Sequence, residues 1–267
     1  MVLRGASAEA QAGLRSVVDG VGTADLATLG EDLLGAAAVF RAEPGLRRVA
    51  TDLAVDASAK AGLVRGVFDG KISAAGLDLV ADATGRRWTA TRDLADVLET
   101  LGVVAVVKSA GADAARLADE LFAISQLVND NADLRAALSD PTRSVDDKAA
   151  LLHSLLDGKA LAATQRLAVL ALNGSHRTVV VALAEYQKIA AAVKDESVAM
   201  VRVARELSDA DRDRLQKALA RQYGRPVHVN VSVEPDLVGG MRVEIGDDVI
   251  DGSVASRLDD ARRRLAG

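Results

Sequence analysis

The sequence lacks cysteine altogether and holds few aromatic residues. The absence of cysteine among 267 residues excludes disulfides, zinc–thiolate sites and thiol nucleophiles. Aromatic residues make up 2% of the chain and hydrophobic residues 49%, so the core has to be built from Ala, Leu and Val. Such side chains favour close helix–helix packing, whereas ligand pockets usually recruit aromatic residues.

Positive charge and long apolar runs are also missing. The formal net charge is −5, and an acidic chain with few aromatic residues is a poor match for a nucleic-acid backbone. The longest apolar stretches, at 101–107 and 179–184, fall well short of the roughly 20 residues that a membrane span needs. The first residues contain no apolar core of signal-peptide length. We therefore expect a soluble protein that reaches a membrane only through partners.

Residues that could perform catalysis are scattered. None of the three histidines, His153, His176 and His228, has a second ligand three or four residues away. No G-x-S-x-G sequence occurs, which argues against a serine nucleophile. The segment 66–72 approaches a phosphate-binding loop, but its spacing is one residue short and it follows a predicted helix. Helix capping explains that segment. Taken together, these observations predict no catalytic residue, no metal site and no cofactor.

An internal duplication organises the first two thirds of the chain. Residues 29–84 align without a gap onto 117–172, and fifteen of the 56 positions are identical. The identities include an Asp-Gly-Lys sequence in register, at 69–71 and 157–159. Composition accounts for the matched alanines but not for this sequence after the same Lys-x-x-Leu pattern. Both copies show helical periodicity with Gly, Asn and Asp at the breaks, which predicts two helical bundles in series.

After about residue 196 the hydrophobic period changes from 3.6 to 2. Apolar and polar residues alternate over 227–233 and 241–245, and 201–203 indicates a third strand with one buried and one wet face. A helix that begins near Ser208 lies between the first two strands, and another is predicted from about residue 253. The predicted fold class is mainly α, with duplicated helical bundles at 1–105 and 106–195 followed by a small α+β domain, a β-α-β-β-α unit, at 196–267.

The most specific pattern lies in segment 234–258, which reads EPDLVGGMRVEIGDDVIDGSVASRL. It resembles the signature of the delta subunit of F-type ATP synthases, called the oligomycin-sensitivity-conferring protein in mitochondria. The resemblance extends over about residues 105–267. Glycines permit tight bends and a serine can cap a helix, so we interpret the motif as structural. The matching residues are Gly239, Gly240, Gly246, Asp247, Ile250, Asp251, Gly252, Ser253, Arg257 and Leu258.

The resemblance implies a non-catalytic stator subunit. In that family a helical bundle binds N-terminal segments of the alpha subunits, and the C-terminal part binds the b subunits of the stalk. One copy per complex, at the cytoplasmic face of the cell membrane, would link the catalytic head to the b subunits and couple proton-driven rotation to ATP synthesis. The extra copy at 1–105 is similar to the layout of actinobacterial delta subunits. It leaves open which bundle contacts the alpha subunits.

A bundle of aliphatic residues can bind an amphipathic helix in a groove. We predict that two helices of the second copy line such a groove, and the predicted lining residues are Leu117, Leu121, Ile124, Val128, Leu161, Leu167 and Leu172. One alternative is a free-standing helical adaptor unrelated to ATP synthase. Another is an enzyme hidden in the bundles. Co-purification with the catalytic head separates the first alternative from the stator, and a bound metal or nucleotide would support the second.

Overall fold

The computed structural model describes residues 3–193, 197–224, 226–235, 237, 239–245, 248–252 and 254. Contacts divide the chain into two compact units, Met1–Tyr186 and Gln187–Gly267. Helices dominate the first unit and a small sheet with a helix forms the second, so the predicted fold class is confirmed. The domain limits at 105 and 195 stay predictions.

The first unit is built from short helices with short connections, as expected for a bundle. Helices α1 to α5 span Ala6–Asp19, Thr23–Ala42, Pro44–Thr51, Ala57–Phe68 and Ala74–Gly85. Helices α6 to α10 span Asp93–Ser109, Ala114–Asp130, Ala132–Ser139, Val145–Leu156 and Ala162–Leu170, with a 3₁₀ turn at Gly111–Asp113. Helix α11, Val179–Val193, begins in this unit and ends in the next.

Helices α2 to α5 recur as α7 to α10 at a sequence offset of 88. Both ends of α3 and of α4 reappear at that offset in α8 and α9. The backbone N–H groups of Asp69 and Asp157 close the last turn of α4 and α9 with bonds of 2.9 and 2.8 Å. Gly70 and Gly158 follow with φ of 71° and 67°, a conformation that favours glycine at helix ends. The duplicated Asp-Gly-Lys sequence is therefore a helix C-terminal motif in both copies.

A carboxylate also caps the same helix in each copy. Asp32 of α2 accepts the backbone N–H of Ser73 at 3.1 Å, at the start of α5. Its counterpart Glu120 of α7 accepts the backbone N–H of Leu161 at 2.9 Å, at the start of α10. These N–H groups have no partner within their own helix, so the carboxylate satisfies them and complements the helix dipole. The copies preserve this interaction although the residues differ.

The length of that carboxylate side chain is matched by the residue that it faces on the capped helix. A Cβ added to Gly76 of α5 would lie 2.5 Å from Oδ2 of Asp32. The short aspartate therefore approaches the helix closely, and glycine leaves room for its carboxylate. In the second copy the counterpart of Gly76 is Thr164, whose hydroxyl donates to Glu120 at 2.6 Å. Paired differences of this kind support a common origin for the two bundles.

Helix α6 belongs to both bundles. The offset of 88 relates α1 to α6 and α6 to α11, so α6 ends the first copy and begins the second. Thirteen of its seventeen residues are buried, and it packs against α1, α2, α3 and α5 as well as α7 and α10. A helix that is apolar on all sides needs neighbours on all sides. The limit predicted at 105/106 falls inside α6 and stays a prediction.

The second unit contains a mixed four-stranded sheet. Strands β1 to β4 span Ser197–Val203, Val227–Val233, Met241–Ile245 and Asp248–Asp251, and helix α12 spans Asp209–Tyr223. The strand order is β2-β1-β3-β4, with β1 and β2 parallel and the other pairs antiparallel. The core consists of Ala199, Val201, Val203, Leu219, Val227, Val229, Val243 and Ile245. Strand β4 adds a short fourth strand to the three predicted. The predicted last helix lies outside the described residues apart from Val254.

One polar residue of β2 is buried, against the expectation of a wet face. Asn230 is 1% exposed, and its Nδ2 donates to Oε1 of Gln187, on α11, at 3.5 Å. Within the described residues, Oδ1 of Asn230 and Nε2 of Gln187 have no hydrogen-bond partner. The face predicted to be wet is thus covered at Asn230, because alternation shows which residues share a face and not what covers that face.

Two glycines bring α2 and α6 into backbone contact. A Cβ at Gly30 would lie 2.7 Å from Cγ2 of Val106 and 3.2 Å from the carbonyl oxygen of Gly102. A Cβ at Gly102 would lie 2.7 Å from the side chain of Leu34. Both positions therefore require glycine for the close approach of the two helices.

We expect Gly102→Ala to lower the free energy of unfolding by about 1–3 kcal/mol, because the added methyl group overpacks the crossing. Gly35→Ala on α2 is the matched control, since no atom lies within 4 Å of its Cβ position. That control should stabilise the protein by about 0.5–1 kcal/mol through helix propensity. Urea unfolding followed by circular dichroism measures both changes. Equal effects would contradict the close crossing.

Candidate partner-binding site

The residues considered for catalysis or metal binding lie on separate elements. His153 is exposed on α9, and His228 lies in β2. The ring of His176, in the loop before α11, meets the ring of Tyr186 edge-on, with centroids 5.8 Å apart. In the part of the chain that the structure describes, no group of three or more His, Cys, Asp or Glu residues could hold a metal ion.

The described motif glycines brace the β3–β4 hairpin. Gly239 and Gly240 precede β3 with positive φ, and the carbonyl of Gly239 accepts the backbone N–H of Val254 at 2.9 Å. The N–H of Gly252 donates to the carbonyl of Met241, also at 2.9 Å. These two bonds tie the chain after β4 to the start of β3. The motif thus fixes backbone geometry in this part of the second unit.

Two further motif residues lie on β4. Ile250 stands opposite Val243 and is 38% exposed, and Asp251 stands opposite Arg242. A partly exposed isoleucine on a short edge strand offers an apolar contact surface. That these residues have a family role stays a prediction. The motif residues outside the described residues are Gly246, Asp247, Ser253, Arg257 and Leu258.

Most of the predicted groove residues are buried within the first unit. Leu161 and Leu172 are partly exposed. The other five are at most 4% exposed: Leu117, Leu121, Ile124, Val128 and Leu167. Helical periodicity identifies the apolar side of a helix but not whether its own chain covers that side. The participation of these residues in a partner groove stays a prediction.

An open cleft of about 290 Å³ lies beside Leu161. The end of α6, the 3₁₀ turn and the start of α10 form one part of its wall, and α2 of the first copy forms the rest. Val106, Leu161 and four alanines give it an apolar lining, and Glu31, Asp113 and Arg166 supply charge. The structure thus brings one predicted groove residue together with residues of the other copy.

The two sides of this cleft are joined by an ion pair. Nη2 of Arg166 lies 2.7 Å from Oε1 of Glu31, with both side chains about half exposed. An exposed pair contributes little to stability. Neither residue was predicted from the sequence as part of a site. The sequence does contain a difference between the copies at this point. At the offset of 88, Asp78 of the first copy corresponds to Arg166 of the second.

A buried carboxylate ties the loop before α11 to α6. Glu99 is 3% exposed and its carboxylate accepts bonds from the guanidinium of Arg41 at 2.5 Å and from the backbone N–H of Ser175 at 3.0 Å. The hydroxyl of Ser175 donates to it at 3.0 Å and that of Tyr186 at 3.4 Å. Burial raises the pKa of the Tyr186 hydroxyl, and the negative charge of Glu99 raises that pKa further. Tyr186 therefore stays protonated and able to donate.

Comparisons with known proteins identify the family. The family model described as the ATP synthase delta (OSCP) subunit matches residues 103–265. An ATP synthase subunit delta of Nocardioides sp. (strain ATCC BAA-499 / JS614) is 59% identical over 99% of this chain and 98% of that protein. This chain belongs to the ATP synthase delta (OSCP) family. The subunit delta of Streptomyces avermitilis is 41% identical over the full length of both proteins.

The delta family assignment agrees with the internal duplication. The family model begins inside α6, close to the predicted start of the resemblance at residue 105. The relatives from Nocardioides and Streptomyces match over nearly the whole chain, so the match to them includes the first copy. A chain of the Toxoplasma gondii mitochondrial ATP synthase hexamer aligns with 58% of this chain and 97% of its own length, at a TM-score of 0.33 and 17% identity, too distant to add to the assignment.

We expect Glu99→Leu to lower the free energy of unfolding by about 3 kcal/mol, because it leaves Arg41, Ser175 and Tyr186 without their shared acceptor. Asp96→Ala is the matched control one turn earlier on α6. Asp96 is 3.4 Å from Arg41 and 20% exposed, so the control should cost less than about 1 kcal/mol. Thermal and urea unfolding measure both variants. Similar losses would show that Glu99 does not organise the loop.

Proposed function

We propose that this delta-family chain is the non-catalytic stator subunit that links the catalytic head of an F-type ATP synthase to the b subunits of its peripheral stalk. Family membership over 103–265 and the match to delta subunits over the whole chain carry the proposal. In this role the chain prevents the head from turning with the rotor, so that proton-driven rotation is coupled to ATP synthesis.

The helical unit suits a contact with N-terminal segments of the alpha subunits. Its packed aliphatic core and its buried Glu99 network favour a stiff body, which a joint under torque requires. Leu161 and Leu172 are the members of the predicted groove that have accessible surface. An amphipathic helix laid along them is a common mode of recognition between a helical bundle and a short segment.

The second unit is the proposed attachment point for the b subunits. The exposed aliphatic residues among its described part are Val233, Val249, Ile250 and Val254. Exposed apolar surface at the edge of a small domain is a frequent feature of protein interfaces. Attachment of both units to different chains of one complex gives avidity beyond that of either contact.

No described helix of the chain has the length and hydropathy of a membrane span. We propose that one copy per complex lies at the cytoplasmic face of the cell membrane, held there by its partners. A free-standing helical adaptor is the alternative function. An adaptor of that kind would not associate with the catalytic head. A binding experiment with the head therefore distinguishes the two functions.

Reconstitution tests the stator role. Catalytic heads lacking the delta subunit are mixed with head-stripped membrane vesicles, with and without this chain, and ATP-driven proton pumping is followed by fluorescence quenching. Pumping should require the chain. Val249→Asp together with Ile250→Asp should reduce attachment at least tenfold, because the charges remove the apolar surface of β4, which we assign to the b subunits.

Val49→Asp is the control, since Val49 is similarly exposed, at 42%, but lies in the first unit on α3. It should leave pumping within twofold of the wild type. Failure of the wild-type chain to associate with the head or to restore pumping would overturn the stator proposal and favour the adaptor.

A further inference from the structure

We propose that the first copy carries a binding surface for an acidic protein segment, at the loop between α5 and α6 and the start of α1. The surface consists of Arg4, Arg87 and Arg92 together with Trp88, and we call it the arginine patch. It gives the first copy a contact of its own, separate from the attachments assigned to the second copy and to the second unit.

The loop that carries the patch has a charge opposite to that of the whole protein. Residues 86–92 contain three arginines and no acidic residue, whereas the chain has a net charge of −5. Asp82 pairs with one of them, Arg86, at 2.7 Å. The other two arginines of the loop are exposed, as is Arg4, and no ion-pair partner of these three guanidinium groups lies within the described residues. The first copy therefore presents three uncompensated cations in one place.

Hydrogen bonds fix this loop to the start of α1. The hydroxyl of Thr89 donates to the carbonyl of Arg4 at 3.0 Å, and the backbone N–H of Thr89 donates to the hydroxyl of Ser7 at 2.8 Å. The Ser7 hydroxyl in turn donates to the carboxylate of Asp93 at 2.7 Å. Ser7 and Asp93 are 0% and 6% exposed, so the network is shielded from water. A loop held in this way is preorganised, which lowers the entropy cost of binding.

Trp88 adds an apolar contact surface beside the arginines. Its Nε1 donates to the carbonyl of Ala83, at the end of α5, at 3.0 Å, and this bond fixes the ring although the residue is only half-buried. Tryptophan and arginine are the residue types that most often dominate the binding energy of protein interfaces. Their combination on a fixed loop therefore favours a protein partner.

The corresponding loop of the second copy is used inside its own bundle. At the offset of 88, Arg87 corresponds to Ser175, whose hydroxyl and backbone N–H both donate to the buried carboxylate of Glu99. The counterpart of Glu99 in the first copy is the neutral Gln11. The first copy has no carboxylate at that position, and the side chain of Arg87 is left exposed. The patch is thus a property of the first copy and not of the duplicated scaffold.

The chemistry of the patch indicates what it binds. The planar guanidinium group matches a carboxylate with two parallel hydrogen bonds, which an acidic segment can offer repeatedly. Recognition of anionic lipid typically uses clusters of about 4–8 basic residues, more than this patch contains. Nucleic acid requires many phosphate contacts, for which an acidic chain is poorly suited. The matching occupant is a protein segment whose carboxylates face the arginines and whose apolar side chains contact Trp88.

Titration of the full chain with a synthetic helical peptide of repeated Glu-Ala-Ala-Leu-Glu units tests the proposal. The peptide lacks tryptophan, so the emission of Trp88, the single tryptophan of the chain, reports contact at the patch. Binding should shift that emission. The affinity should fall several-fold when salt rises from about 50 to about 200 mM, because salt screens exposed charges. A peptide with Gln in place of Glu should bind at least tenfold more weakly.

Arg87→Gln together with Arg92→Gln should weaken binding of the acidic peptide about tenfold, because two of the three guanidinium groups are lost. The matched control is Arg48→Gln together with Arg205→Gln. It removes the same charge from exposed arginines outside the patch and should leave the affinity within twofold. Calorimetry measures the affinities, and circular dichroism verifies that both double variants are folded.

Three outcomes would overturn the proposal. Equal weakening by the two double variants would show that only the net charge matters. Equal affinity for the Glu and Gln peptides would show that carboxylates are not recognised. Vesicles of phosphatidylserine and phosphatidylcholine are the second probe, and a shift of Trp88 emission with the vesicles but not with the acidic peptide would identify a membrane surface instead. The stator role is tested separately by proton pumping and does not depend on these results.

Discussion

The backbone crossing of α2 and α6 is the constraint on which the helical unit depends. Gly30 and Gly102 allow the helices to touch, and any larger residue would meet Val106 or Leu34. This contact holds α6 in the first bundle although the same helix begins the second. Because α6 is buried or half-buried along its whole length, removal of either bundle would expose part of its apolar surface. The duplication has thus produced two interlocked bundles that share one helix.

This interlocking supports the proposed stator role. Linked but separate bundles would transmit torque through a flexible connection, whereas a shared helix transmits it through packed side chains, which deform little. Glu99 adds polar contacts from α6 to Arg41 of the first copy, to Ser175 before α11 and to Tyr186 on α11. Such fully bonded buried networks specify one arrangement of their neighbours.

The family motif acts through backbone geometry. Gly239 and Gly252 position the ends of the β3–β4 hairpin by hydrogen bonds to Val254 and Met241. Positions of this kind tolerate few residue types, so a motif built from them can be recognised in a single sequence. The surface that contacts a partner has no such restriction. It depends on exposed aliphatic residues and on charge, which are harder to recognise in a single sequence.

Local features of this protein were determined by the sequence itself. The Gly, Asn and Asp breaks between helices, the start of a helix near Ser208 and the change of period near residue 196 each depend on neighbouring residues, and all were predicted. Tertiary structure decided which apolar faces are covered. It buried the predicted groove residue Leu117, covered Asn230 with Gln187, shared α6 between bundles and placed α2 beside α10. Periodicity describes one helix or strand at a time, whereas burial depends on neighbours distant in sequence.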